Sequence, residues 1–341
     1  LFEGSSGRMT TSNENQTVAI AALPEANEKR FTVVAVLDQM PLVALVLLCL
    51  VTAILSDRFL SPINLTNILL QASVMAIVAM GMTYVIISGG FDLSVGSIVA
   101  LSGCVSAWVM LETNVPLGIA AGIAIGGVVG YLNGYIVSRL KVNPFIATLG
   151  MMVIVRGAVL LITDGRPIVG EDGLPEIFLE LGSGRFLGIH YLIWVPVILF
   201  IIFSWLLHMT AYGRRLFATG GNREAAYLAG IQVKRVVTSA YVWCGILGGV
   251  AGVMLASRLQ SGQPTAGEFY ELTSIAAVVL GGAALHGGVG KLYKSMIGVF
   301  IMMVLANSLN LLNVHSYWQR VAVGLVIITA AAADQIKSRR N

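Results

Sequence analysis

VPLGIAAGIAIGGVVGYLNGYIVS, residues 115–138, runs for 24 positions without one charged side chain. A hydrocarbon core about 30 Å thick needs about twenty such residues in helical form, so this stretch reads as one complete membrane crossing. Its glycines recur at every fourth place: Gly118, Gly122, Gly126, Gly130 and Gly134. At 3.6 residues per turn they make a nearly continuous smooth stripe, against which a second backbone can lie closely. In lipid, where no hydrophobic force drives helices together, that close approach is what holds a bundle, and the helix is expected inside one. Gly245 with Gly249, and Gly248 with Gly252, form shorter versions of the same signal.

The stretch is typical of its surroundings. Hydrophobic residues make up 57% of the 341 and charged residues 11%, against about 25% charged in an ordinary soluble domain. Apolar runs recur near 33–55, 64–88, 93–111, 115–138, 143–163, 190–208, 235–257, 271–285, 293–312 and 316–334. The expected fold is therefore all-α: a polytopic membrane protein of about ten transmembrane helices, one domain over 33–335, with a glycine-marked break near Gly287–Gly290. Residues 1–32 form a polar leading segment, in which 1–8, before Met9, read as foreign to it, and 336–341 form a basic tail. No apolar run follows a basic start there, so the segment does not read as a signal peptide.

Lys and Arg accumulate in cytoplasmic loops. With both termini inside, 15 of the 21 basic residues fall on inner segments and four, Arg58, Arg166, Arg185 and Arg258, on outer loops. An even number of membrane passes follows as the expectation. The net charge of +4 reflects this asymmetry, so no nucleic-acid partner is implied. Cys49, Cys104 and Cys244 all sit in apolar runs without metal-ligand spacing and read as packing residues.

Polar residues within such runs are costly and often functional. Asp92-Leu93-Ser94 followed by Ser97-Ile98 resembles Glu271-Leu272-Thr273 followed by Ser274-Ile275, and Asn133 and Asn307 follow at 41 and 36 residues. The two copies fall on oppositely directed helices, as an inverted repeat of two five-helix halves requires. Asp92, Ser94, Asn133, Asn143, Glu271, Thr273, Asn307 and Asn310 are the candidates for a substrate pathway, with Arg156 beside them. Helix capping by Asp92 and Glu271, and interhelical hydrogen bonding by the asparagines, are the competing readings.

The longest inner loop, 209–234, contains Gly220-Gly221-Asn222-Arg223-Glu224-Ala225-Ala226 and closes at Gly230. Glu and two alanines favour helix, and glycine tolerates the left-handed cap, so a short helix is expected there. An EAA-x3-G pattern on an inner loop resembles the coupling segment of ATP-binding-cassette importer permeases, without that motif's Ile-x-Leu-Pro continuation. GMTYVIISGGFDLSVGS (81–97), KVNPFIATLG (141–150), YGRRLFATGGNREAAYLAGI (212–231), ASRLQSGQPTAGEFYELTSIAAVVLGG (256–282) and NSLNLLNVHSYWQ (307–319) look like the ribose- and arabinose-type monosaccharide permeases, with His286 and Lys294 as departures.

That resemblance implies a translocation subunit for a monosaccharide, ribose-like pentose first. It would work with ABC ATPase subunits that use ATP and Mg, with a periplasmic or lipid-anchored sugar-binding protein, and as a homodimer or a heterodimer with a second permease. The chain itself is expected to hold no cofactor, metal or catalytic residue. A phosphate-binding P-loop needs a glycine five residues before its Gly-Lys and then Ser or Thr; Gly290-Lys291 is preceded there by Leu285 and followed by Leu292. His190, His208, His286 and His315 are scattered, with no pair at ligand spacing. An ion-coupled secondary transporter is the alternative, weakened by the scarcity of ionisable groups for a relay.

Overall fold

The computed structural model describes residues 39–338; the polar segment 1–32 and the last residues of the basic tail lie outside them. Thirteen helices run through the described chain, here α1 (Met40–Leu55), α2 (Pro62–Ile87), α3 (Val95–Glu112), α4 (Val115–Ser138), α5 (Pro144–Thr163), α6 (Glu176–Ser183), α7 (Tyr191–Met209), α8 (Ala211–Gly221), α9 (Arg223–Leu228), α10 (Val233–Leu259), α11 (Tyr270–Leu280), α12 (Leu292–Leu311) and α13 (Ser316–Ser338). Seven of them, α2, α3, α4, α5, α7, α10 and α12, are long and apolar enough to cross a membrane, and α1, α11 and part of α13 are shorter apolar helices. The protein is an all-α multi-pass membrane protein.

Their boundaries follow local chemistry. Ser61, Asn114 and Asn143 cap α2, α4 and α5 through side-chain oxygens that take amide hydrogens at positions 64, 117 and 145, and each helix opens with proline in its first turn. The long loop before α7 carries α6 and a two-stranded hairpin, Arg185–Phe186 with Ile189–His190, turned by Leu187 and Gly188 at positive φ. Far from hanging free, α6 lies on α10: Phe178 is fully buried, and its carbonyl accepts the Ser257 hydroxyl at 2.6 Å.

The centre of the bundle is α10, packed against α2, α3 and α4. The glycine stripe on α4 is the cause. Gly126 faces Gly245 and Gly249, Gly130 faces Tyr241 and Gly245, and Gly134 faces Thr238, all on α10, whereas Gly118 and Gly122 meet Ser106 and Ser102 on α3. Gly248 and Gly252 turn to the other side of α10 and admit Ile98 and Val99 of α3. A Cβ at most of these sites would strike backbone, so three helices share one seam whose width is set by missing side chains.

One of the expected crossings is broken. The run over 271–285 is an eleven-residue helix, α11, about 16 Å long at 1.5 Å per residue and too short to span the core. It ends where Gly282, Gly287 and Gly288 adopt positive φ, which only glycine does freely. The expected crossing over 93–111 is present as α3, which begins at Val95 after a non-helical segment, 88–94, that is buried apart from the partly covered Gly89 and Phe91. Lys294 lies in the first turn of α12 and is buried.

Candidate functional site

One end of the bundle, the basic end, gathers α8, α9, the 139–143 turn and the 286–291 turn, with Arg139, Lys141, Arg223, Lys234, Arg235 and Lys291. Here α8 is capped by Thr210 and stops at Asn222, whose side-chain oxygen takes the amides of Glu224 and Ala225 at 3.0 and 2.9 Å and so starts α9 at once. The short helix expected from Glu224-Ala225-Ala226 is present, closed by Gly230 at φ +80°. Only Ala226 of α9 is buried; Tyr227 and Leu228 stand 71% and 79% exposed. Apolar side chains displayed on a helix of six residues gain nothing from their own fold, and they make a surface suited to a partner.

Gly220 and Gly221 serve the opposite purpose. A Cβ on Gly220 would run into the Ile87 carbonyl at the end of α2, and Gly288 lies directly on Gly221. Gly287 packs on Gly89, and the Gly288 amide donates to the Ile87 carbonyl at 2.9 Å. Arg223 completes the contact from α9, its guanidinium donating to the carbonyls of Ser88 and Gly89 at 3.4 and 3.2 Å. Three chain segments, ending α2, ending α8 and following α11, thus meet backbone to backbone.

The segment that Arg223 grips leads inward to a polar knot. Asp92 is fully buried, and its Oδ1 accepts the Ser94 amide at 2.9 Å, the Ser94 hydroxyl at 2.6 Å and the Asn133 amide at 3.3 Å. Asn133 also donates to the Ser94 hydroxyl at 2.7 Å. Thr148 on α5 takes the Leu93 amide, and Tyr241 on α10 donates to the Phe91 carbonyl at 3.0 Å, with Cys244 beside the carboxyl. Asp92 Oδ2 and Asn133 Oδ1 accept no N–H or O–H hydrogen bond, with only the Cys244 thiol beside the carboxyl, so the knot keeps acceptor capacity at its centre.

Beyond the knot the starts of α3 and α11 meet. Gly96 lies beneath the Glu271 carboxylate and the Gly267 carbonyl, and neither would leave room for a Cβ. Gly267 belongs to a second non-helical segment, 260–269, which enters from the other end of the bundle. Arg156 of α5 holds that segment, donating to the carbonyls of Pro264 and Ala266 at 2.6 and 3.0 Å, and the Arg320 guanidinium lies 5.0 Å from the Phe269 ring centroid.

Of the pathway candidates, Asp92, Ser94 and Asn133 are brought together, and Glu271 stands across Gly96 from them. Thr273 is engaged with the Phe269 carbonyl of its own helix start. Asn143 caps α5 and lines a groove of about 1170 Å³ at the basic end, with Glu224, Tyr227 and Leu228. Asn307 is elsewhere: it exchanges hydrogen bonds with Asn64 at 2.8 and 3.1 Å, clamping α12 to α2 at the far end, and exposed Asn310 accepts from Gln319. Thr148 and Tyr241 were not singled out from sequence, and Gly287-Gly288 was read only as a break in the helix, not as part of this contact. Gly-Gly pairs alone do not reveal the junction, since 89–90, 220–221 and 287–288 converge there while 126–127, 248–249 and 281–282 do not. Among the described residues no group of three His, Cys, Asp or Glu could hold a metal ion.

A family model described as branched-chain amino acid transport system, permease component, matches residues 64–331. The ribose import permease protein RbsC of Bacillus subtilis is 46% identical over 316 residues, covering 92% of this chain and 98% of that protein. The RbsC protein of Escherichia coli K12 is 42% identical over 314 residues, covering 92% and 98%. The L-arabinose transport system permease protein AraH of the same strain is 42% identical over 299 residues, covering 87% and 90%. No solved structure matches.

Proposed function

The chain belongs to the family of ribose- and arabinose-type permeases, the membrane subunits of ATP-binding-cassette sugar importers, and from that premise we propose how it moves its substrate and which one. The substrate is a ribose-like pentose. In support, two ribose permeases share 46% and 42% of their residues with it over nearly their whole length. An ion-coupled mechanism has no support in this family.

The chain crosses the bacterial inner membrane ten times, with both termini and the basic end in the cytoplasm. Helices α1–α5 form one half, and α7 with α10–α13 the other, related as an inverted repeat. What favours this is the parallel construction of the two halves. A helix of 26 or 27 residues, α2 or α10, is followed by a non-helical segment and then by a helix that starts inside the bundle. One segment enters from each end, and the helix starts meet at Gly96 and Glu271.

Two partner ATPase subunits, which bind the ATP and Mg, dock on α9 and the groove beside it. A sugar-binding protein delivers substrate on the opposite face, and a second permease, identical or related, completes the passage. The observation that carries the mechanism is the grip of Arg223 on the 88–89 backbone. Closure of the ATPases displaces α9, and the glycine junction passes that displacement to the 88–94 segment. The Asp92 knot and the start of α3 then shift against α11, alternating which side the passage faces. Only differential contacts in the two states can drive such a change, and the buried acceptors of Asp92 and Asn133 are suited to transient hydroxyl donors.

Reconstitution tests this reading. In liposomes holding the permease, its ATPase and its binding protein, ribose uptake is expected to require all three components and ATP. Uptake by the permease alone, driven by an ion gradient, would overturn it.

A further inference from the structure

The glycine stripe of α4 faces α3 and α10, and residues displaced by two positions, about 200° around the helix, face away from that seam. Ala120, Ala124 and Val128 on this outer side, with Gly127, Tyr131 and Ile246 of α10 at the flank of the seam, line an apolar groove of about 560 Å³. Tyr131 also lines a second cavity, of about 370 Å³, so the two adjoin at this ring on the side of the basic end. That cavity has a different chemistry. Arg139 and Arg235 stand at its edge, Tyr135, Thr238 and Trp243 complete its wall, and no acidic residue lines it.

We propose that this composite site holds one anionic phospholipid, its phosphate between Arg139 and Arg235 and an acyl chain along the α4 groove. Each part matches one part of the ligand. Eleven helical positions separate Ala120 from Tyr131, about 16 Å, which is the reach of a long acyl chain. Tyr and Trp belong at the level of headgroups, and paired basic side chains between membrane helices suit anionic ones. A second copy of this chain is a poor occupant. Packing this face on itself across a two-fold axis would bring the arginines of both copies together with no carboxylate in the cavity to answer them. Arg139 and Arg235 also line the groove beside α9, so a bound lipid would be felt where the proposed ATPase docks. The site itself does not depend on the transport reading.

Native mass spectrometry of the detergent-purified full chain tests it, with phosphatidylglycerol, phosphatidylcholine and the soluble headgroup glycerophosphoglycerol as probes. Phosphatidylglycerol is expected to bind about 25-fold more tightly than phosphatidylcholine, the combined effect of two basic side chains beside an anionic group. Arg139→Gln with Arg235→Gln should abolish that preference, and Gly127→Leu should weaken both lipids while elution volume stays unchanged. Equal binding of the two lipids by the unaltered chain would overturn the proposal, whatever the variants do. So would full competition by the soluble headgroup, which would mark a free-phosphate site, or a dimer that buries Tyr131 and excludes lipid.

Discussion

Glycines do opposite work in two regions of this molecule. In the α3–α4–α10 seam they sit inside regular helices, and removing side chains lets backbones touch along several turns. At the basic end Gly89, Gly287 and Gly288 sit in turns at φ of +77°, +94° and +74°, where they let the chain reverse rather than let helices close. The seam is extended and repeated, so no one contact can move without the others. The junction is one layer of contacts beneath an exposed helix, tied by Arg223 and by a Gly288 amide. Dense packing fixes a frame, and sparse backbone contact gives a part that can be pushed against it.

Substitutions can break or sharpen that contrast. The largest effect is expected from Gly126→Leu, which drives a side chain into the Gly245 carbonyl and the Gly249 backbone. Overpacking costs about 1–3 kcal/mol where neighbours can give way and more where they are backbone, so monodisperse protein should be nearly lost on gel filtration. Gly220→Val should come next. Its side chain would part α8 from the Ile87 carbonyl, leaving a folded chain whose ATP-driven uptake is abolished in liposomes.

Arg223→Ala removes only the guanidinium bridge to Ser88 and Gly89. Substrate-stimulated ATPase activity of the complex should fall on the order of tenfold, within the usual range of coupling between sites, with membrane insertion intact. Glu224→Lys, on the exposed face of α9, should lose coupling without any loss of thermal stability. The smallest effect is expected from Asn307→Ala, which leaves the buried Asn64 Oδ1 without its donor, while Asn64 Nδ2 keeps the Phe59 carbonyl, at a cost of about 1–2 kcal/mol. Its melting temperature should drop by a few degrees while uptake is unchanged. A seam variant that folds normally, or a junction variant that transports normally, would erase the distinction.

Much of the frame was legible before any coordinates. Hydropathy located the membrane helices, and the four-residue spacing from Gly118 to Gly134 identified the buried face of α4, because both are local periodic signals. Glu224, Ala225, Ala226 and Gly230 marked α9 through helix propensity and glycine closure, which act within a few residues, whereas the Asn222 cap emerged only from the structure. What stayed hidden depends on partners distant in the chain. Hydropathy does not separate a buried extended segment from the first turn of a helix, so 88–94 and 260–269 were absorbed into spans or loops. Asn307 reads like Asn133 in sequence, yet one pairs with Asn64 across 243 positions and the other with Asp92 across 41. Nothing local distinguishes a clamp from a member of the knot.

The most direct test of the account is the sidedness of Leu228, 79% exposed on α9. With Cys49, Cys104 and Cys244 replaced, Leu228→Cys should resist a membrane-impermeant maleimide in intact cells, react in inverted vesicles, and become protected when the ATPase is bound. Labelling in intact cells, or equal labelling with and without the ATPase, would contradict the account at its centre.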